Sequence, residues 1–121
     1  VDLTPQLLKE VKTSLILTGL ASIFTPSSTS GITTIEYESG CLDDLKLMFD
    51  RIAPEHQIYK HNVRWGDGNG HSHIRAALLG PSVSIPVIDG KLFLGTWQQV
   101  ILVDFDNRPR QRAMAVQILG E

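Results

Sequence analysis

Residues 83–105 read VSIPVIDGKLFLGTWQQVILVDF, and this stretch decides the fold class. Val83 to Val87 alternates, as a half-buried strand does. Asp89-Gly90 is the strongest hairpin signal in the chain, because a two-residue turn needs positive φ at both positions and these residues tolerate it. Leu92 to Phe105 then reads as one extended strand. Asn107-Arg108-Pro109 reads as a second turn. Arg112 to Leu119 reads as a last strand, with Ala113, Ala115 and Gln117 on one face and Met114, Val116 and Ile118 on the other. Short connections of this kind join antiparallel neighbours.

The N-terminal half supplies the helices. Thr4 followed by Pro5 reads as an N-cap with Pro at the first helical position, and Leu7, Leu8 and Val11 carry a stripe to about Ser14. Leu20 to Phe24 reads as a short strand stopped by Pro26. Ser27 to Gly31 is a small-residue loop, and Ile32 to Tyr37 is a β-branched strand. Leu42, Leu45, Met48, Phe49 and Ile52 recur at helical spacing over about 41–52, and Pro54 ends that helix. Residues 55–70 read as irregular. Ser72 to Leu79 reads as a helix stopped by Gly80-Pro81. About five strands and three helices in this order predict a single α+β domain over residues 1–121, with a mainly antiparallel sheet.

Composition agrees and excludes some functions. The chain has 121 residues, 42% hydrophobic and 20% charged, which suits one globular domain and argues against disorder. A net charge of −2 without a basic cluster excludes a nucleic-acid footprint. No apolar run is long enough to span a membrane. The single cysteine, Cys41, rules out an internal disulfide framework. The expectation is a small soluble protein of the cytoplasm.

The histidines are the first candidates for chemistry. His61, His71 and His73 lie around a glycine-rich loop, Gly66-Asp67-Gly68-Asn69-Gly70. Three imidazoles could hold a divalent metal such as Zn, with water as a fourth ligand. The competing reading is a polar loop that caps the next helix. His71 and His73 share a face on a strand but diverge by about 200° on a helix. The glycine loop opening a helix also suits an anion, as does the hydroxyl-rich run Ser27-Ser28-Thr29-Ser30; either is equally an ordinary turn. Glu36, at the end of the ITTI strand, is a candidate base or simply a solvated carboxylate. Trp97-Gln98 reads as a pocket wall with an amide handle, or as a subunit interface. Asp104, Asp106, Arg108, Arg110 and Arg112 alternate in sign, as a salt-bridged hairpin or as an arginine fork for phosphate.

STSGITTIEYESG, IYKHN, DGNGHSHIRAALLGPS and IPVIDGKLFLGTWQQVILVDFDNRPRQR together resemble the YjbQ-like family over nearly the whole chain. The resemblance implies a small α+β protein that forms a homotrimer, with a β-strand upstream of the Asp2-Leu3-Thr4 segment that this chain lacks. It implies a site at His61 of the Y-x-H motif and His73 of S-H-[IL]. Glu36, Asn69, Trp97, Gln98 and Arg112 would lie nearby, and Ser27 and Ser28 would serve ligand binding. Many members carry a histidine where Ser27 stands, so a three-histidine metal site here would need His71.

The family label, secondary thiamine-phosphate synthase, implies joining a pyrimidine pyrophosphate to a thiazole phosphate. That chemistry needs cations or Mg²⁺ to stabilise the departing pyrophosphate. At 121 residues the chain is too short to be the TIM barrel that usually performs it. The expected function is therefore binding of a phosphorylated or anionic small molecule, with weak synthase activity as its enzymatic form. A metal-dependent hydrolase and a non-catalytic trimeric binding protein are the alternatives.

Overall fold

A computed structural model describes residues 1–121. The elements run α1 (Thr4–Ser14), β1 (Thr18–Phe24), β2 (Ser30–Ile35), α2 (Ser39–Ile52), α3 (Lys60–Trp65), α4 (Gly70–Leu79), β3 (Ser82–Ile88), β4 (Lys91–Leu92), β5 (Gln99–Asp104) and β6 (Ala115–Gly120). The fold is α+β, and every strand pairing is antiparallel. A four-stranded sheet has the order β4-β3-β1-β6, and a second sheet pairs β2 with β5. Val1 exchanges two backbone hydrogen bonds with Leu102, so the N-terminus lies along the other edge of β5.

The Asp89-Gly90 turn forms as expected, with φ of 51° and 72°. The long strand expected over residues 92–105 does not. It divides into β4 and β5 around a turn in which Gln98 N–H donates to the Gly95 carbonyl. Gln98 Oε1 also accepts from Gly95 N–H, so a side chain competes locally for a backbone donor. An unbroken apolar pattern does not show such a turn.

The helices number four, not three. α3 lies in the span expected to be irregular; it has no buried residue, which hides its periodicity. Gly66, at φ 65°, closes it in the left-handed conformation. Thr4 is the first residue of α1 rather than its cap, because its hydroxyl accepts from Val100 N–H on β5. Asp2 accepts the Thr4 N–H in its place. α2 begins at Ser39, two residues earlier than expected, because the Glu38 carboxylate accepts from Gly40 and Cys41 N–H at 2.7 and 2.8 Å.

The main core packs Leu3, Leu7 and Val11 on and beside α1 against Ala21, Ile23, Ile85 and Val87 of the larger sheet and Ile32, Val100 and Leu102 of the smaller. Each of the leucine, isoleucine and valine side chains, fully buried, is worth about 1.5–3 kcal/mol. Phe49 and Phe105 form a second cluster with Ala76, their rings edge to face at 4.9 Å. That cluster seats α2 and α4 against the end of β5 and so fixes where the Asp104–Arg112 segment begins.

Candidate functional site

The hydroxyl-rich segment, the start of α4 and the Asp104–Arg112 connection converge at one end of the molecule. They enclose a cavity of about 310 Å³ without a single hydrophobic residue in its lining. Ser27, Ser28, Asn69, His73 and Arg112 all line it, joined by Asp106 and Arg110.

Arg112 organises one wall. Its Nε and Nη2 donate to the two carboxylate oxygens of Asp104 at 2.9 and 3.0 Å, a bidentate pair. Nη1 donates to Ser27 Oγ, and Nη2 to Thr29 Oγ1, each at 2.8 Å. Asp106 lies behind, its side chain 2% exposed, accepting from Thr29 Oγ1 and Arg110 Nε. The bond to Arg112 holds the Asp104 carboxyl below the usual range, against an opposing effect of burial. Burial alone would raise Asp106. The Thr29 hydroxyl, Arg110 and the Arg108 N–H outweigh it and lower the pKa. Arg112 is raised, first by its bonds to Asp104.

The other wall is helical. His73 on α4 faces His61 on α3, ring centroids 4.4 Å apart and planes tilted 43°. His61 Nδ1 is 3.4 Å from Asp67 Oδ1, close enough for electrostatic contact but not aligned as a hydrogen bond. Asn62 Oδ1 accepts the Gly70 N–H at 2.7 Å and ties α3 to the start of α4. A Cβ on Gly70 would stand 2.5 Å from Tyr59 Cβ, so this approach needs glycine. Asn69 Nδ2 reaches Asp106 at 3.4 Å, linking the two walls. The buried Ser72 hydroxyl sits between Asn69 Oδ1 and the Phe105 carbonyl and can donate to one at a time.

His71 is not part of this group. α4 begins at Gly70, so residues 71 and 73 are both helical and diverge. His71 is 4% exposed and faces a separate cavity of about 560 Å³, beside Phe49, Phe105 and Arg75. Burial, then the charge of Arg75, lowers its pKa, and its Nδ1 has no hydrogen-bond partner of good geometry. The expected His61/His71/His73 metal set is thus not assembled, and no three His, Cys, Asp or Glu side chains are arranged to hold a metal ion.

Glu36, Trp97 and Gln98 also lie elsewhere within the chain. Ser30 pairs with Asp104 at one end of the small sheet and Ile35 with Gln99 at the other. Five residues of strand separate these ends by about 17 Å. Gln98 Nε2 donates to Thr34 Oγ1, Trp97 is 72% exposed, and Glu36 is exposed.

Thr29, Asp104, Asp106 and Arg110 enter the sequence reading only as members of longer runs, not as individual site residues. Their signal is present, as a hydroxyl run and an alternating charge run. Only the fold shows that Thr29 and Asp106, 77 positions apart, share a hydrogen bond of 3.0 Å.

A small α+β domain whose polar cavity is lined by His73, itself stacked against His61, and by a carboxylate-clamped arginine is the class that fold and site define. The family model described as "UPF0047 protein YjbQ-like" matches residues 1–121, and the chain belongs to that family. A UPF0047 protein of Methanothermobacter thermautotrophicus is 37% identical over 121 residues, covering 100% of this chain and 82% of the relative. The Bacillus subtilis protein YugU is 31% identical, covering 99% and 89%. Among solved structures, a YbjQ-like protein of unknown function from Sulfolobus solfataricus aligns with a TM-score of 0.95 at 37% identity, covering 100% of this chain and 86% of that one. No helix is long and apolar enough to cross a membrane.

Proposed function

We propose that the cavity between Ser27–Thr29 and Arg112 binds a small phosphorylated or otherwise anionic molecule, in a protein that works as a homotrimer. Arg112 carries the reading. Its guanidinium is fixed by Asp104, Ser27 and Thr29 at the wall of an open polar cavity. A planar donor fork already held in place loses little further freedom on meeting a phosphate. Asp106 is enclosed and bonded, so its charge is neutralised inside the wall. Hydroxyls, guanidinium edges and His73 are left at the opening. Imidazole nitrogens can donate to or accept from phosphate oxygens, and the N-terminus of α4 favours negative charge.

Weak thiamine-phosphate synthase activity is the enzymatic form of this reading. Arg112, Arg110 and His73 would stabilise a departing pyrophosphate. Trp97 is too far from them in one chain to stack on the pyrimidine ring, so that wall would come from another copy. A metal-dependent hydrolase is favoured only by the His61–His73 pair with Asp67 beside it. Two imidazoles suit Zn better than Mg, but they fall short of the usual three protein ligands, and no step here is routed through a metal.

The test is thermal unfolding with and without pyrophosphate, at fixed ionic strength. Binding to the folded state raises Tm, by about 2.7 kcal/mol of stability at one hundred times Kd. An unchanged Tm at millimolar pyrophosphate, with and without Mg²⁺, would overturn the proposal. Product formed from the two thiamine precursors would separate a synthase from a binding protein.

A further inference from the structure

Arg112 borders two cavities. One is the polar site; the other, of about 570 Å³, lies between α1 and the strands β1 and β6. Leu3, Leu7, Ile23, Met114 and Val116 give this groove its apolar lining. Gln6, Lys9 and Glu10, all exposed, stand at its mouth, and the two charges there are of opposite sign. Strand geometry joins the groove to the polar site. Ile23 pairs with Val116 in register. From residue 112 to 118 the even-numbered side chains are half-buried and the odd-numbered ones exposed, as in extended chain with one face on the core. Arg112, Met114 and Val116 thus form one inward row, about 13 Å long, that turns from apolar to cationic at Arg112. The guanidinium has five N–H groups. Nε and Nη2 commit three of them to Asp104 and Thr29, and Nη1 commits one to Ser27. The second Nη1 N–H has no partner within the chain.

We infer that the ligand of the anion site is a phosphate monoester with an uncharged, aliphatic body. The phosphoryl group lies against Arg112 and the hydroxyl-rich segment, and the body lies in the groove between α1 and β6. The inference rests on the anion-binding reading above and narrows its ligand class. A cavity of this size, apolar with a few polar groups at one end, is the usual form of a small-molecule site. Aliphatic walls reward the burial of methylenes and impose no hydrogen-bonding pattern, and the flexible thioether of Met114 adapts to the shape it meets. Lys9 and Glu10 cancel at the mouth, so a second charge on the body would find no unopposed partner there. A free inorganic anion would fill the polar cavity alone and leave the groove to water.

Calorimetric titration of the full chain with methyl, n-butyl and n-hexyl phosphate, at equal ionic strength, tests it. These probes share one charged group and differ only in methylenes. A fully buried methylene is worth about fourfold in affinity, and about twofold where the groove stays open to water. n-Hexyl phosphate should therefore bind about thirtyfold more tightly than methyl phosphate. Met114→Gln, of similar length but polar, should cut that ratio about fivefold. The ratio is taken within each protein, so any change in the affinity for phosphate itself cancels. Gln6→Leu, at an exposed helical position where leucine is well tolerated, should raise the ratio and serves even where Met114→Gln does not fold. Equal affinity for methyl and n-hexyl phosphate in the wild type, or the wild-type ratio in both variants, would overturn the inference and leave the anion site standing. So would n-hexanol binding as tightly as n-hexyl phosphate. Absence of binding by every phosphate probe, pyrophosphate included, would overturn the anion-binding reading itself and this inference with it.

Discussion

His61 and His73 meet ring against ring at 4.4 Å, although they stand on different helices and twelve positions apart. The contact exists because Asn62 holds the Gly70 N–H and Gly70 admits Tyr59, which together fix α3 against the start of α4. Of this pair, His73 lines the polar cavity that Arg112 also borders.

Replacing His73 with Ala should therefore leave the fold intact and weaken pyrophosphate binding about tenfold. The side chain is half-buried and makes no hydrogen bond that holds an element in place, so its stability cost should stay near 0.5 kcal/mol. Urea unfolding and calorimetry on one preparation check both halves. A loss of several kcal/mol in stability would make His73 structural instead.

Arg112→Lys should behave as a severe change. Lysine cannot span both oxygens of Asp104 while reaching Ser27 and Thr29. The loss of charge-assisted bonds should cost about 1.5–3 kcal/mol in urea unfolding, the lower end reflecting partial exposure of Asp104. Anion binding should fall with it.

The lowered pKa values of Asp104 and Asp106 set the acid behaviour. A carboxylate depressed on folding adds stability that is fully present above its unfolded pKa, near 3.9, and lost as pH falls through the folded value. Unfolding free energy should thus decline below about pH 4. In Asp106→Asn that decline should be shallower, from a lower plateau, because Arg110 loses its partner.

His71 acts at higher pH. Its folded pKa lies below the unfolded value of about 6.5, so the unfolded state binds more protons as pH falls through that range. Stability should drop as pH is lowered from about 6.5 until the folded pKa is passed. His71→Gln should flatten this slope while leaving pyrophosphate binding unchanged, since residue 71 faces the other cavity.

Much of this architecture is legible in the sequence. Asp89-Gly90 and the β-branched run at 32–35 act through local chemistry, so their reading transfers directly to the fold. The break between Leu92 and Gln99 is not legible, because Gln98 side-chain bonding to Gly95 leaves no trace in apolar patterning. The pairing of His61 with His73, and the gathering of Ser27, Asn69 and Arg112, agree with the motifs. The placement of His71 turned on where α4 begins, two residues ahead of the expected start. Trp97 and Glu36 belong to the far end of β2–β5, a separation set by strand register that the motif order does not encode.

Calorimetric titration of pyrophosphate into the wild-type protein, with Arg112→Ala and His73→Ala in parallel, decides whether this cavity is an anion site. The wild type should bind saturably and each variant at least tenfold more weakly, with no requirement for a divalent metal. Absence of saturable heat in the wild type, or equal affinity in all three proteins, would contradict it.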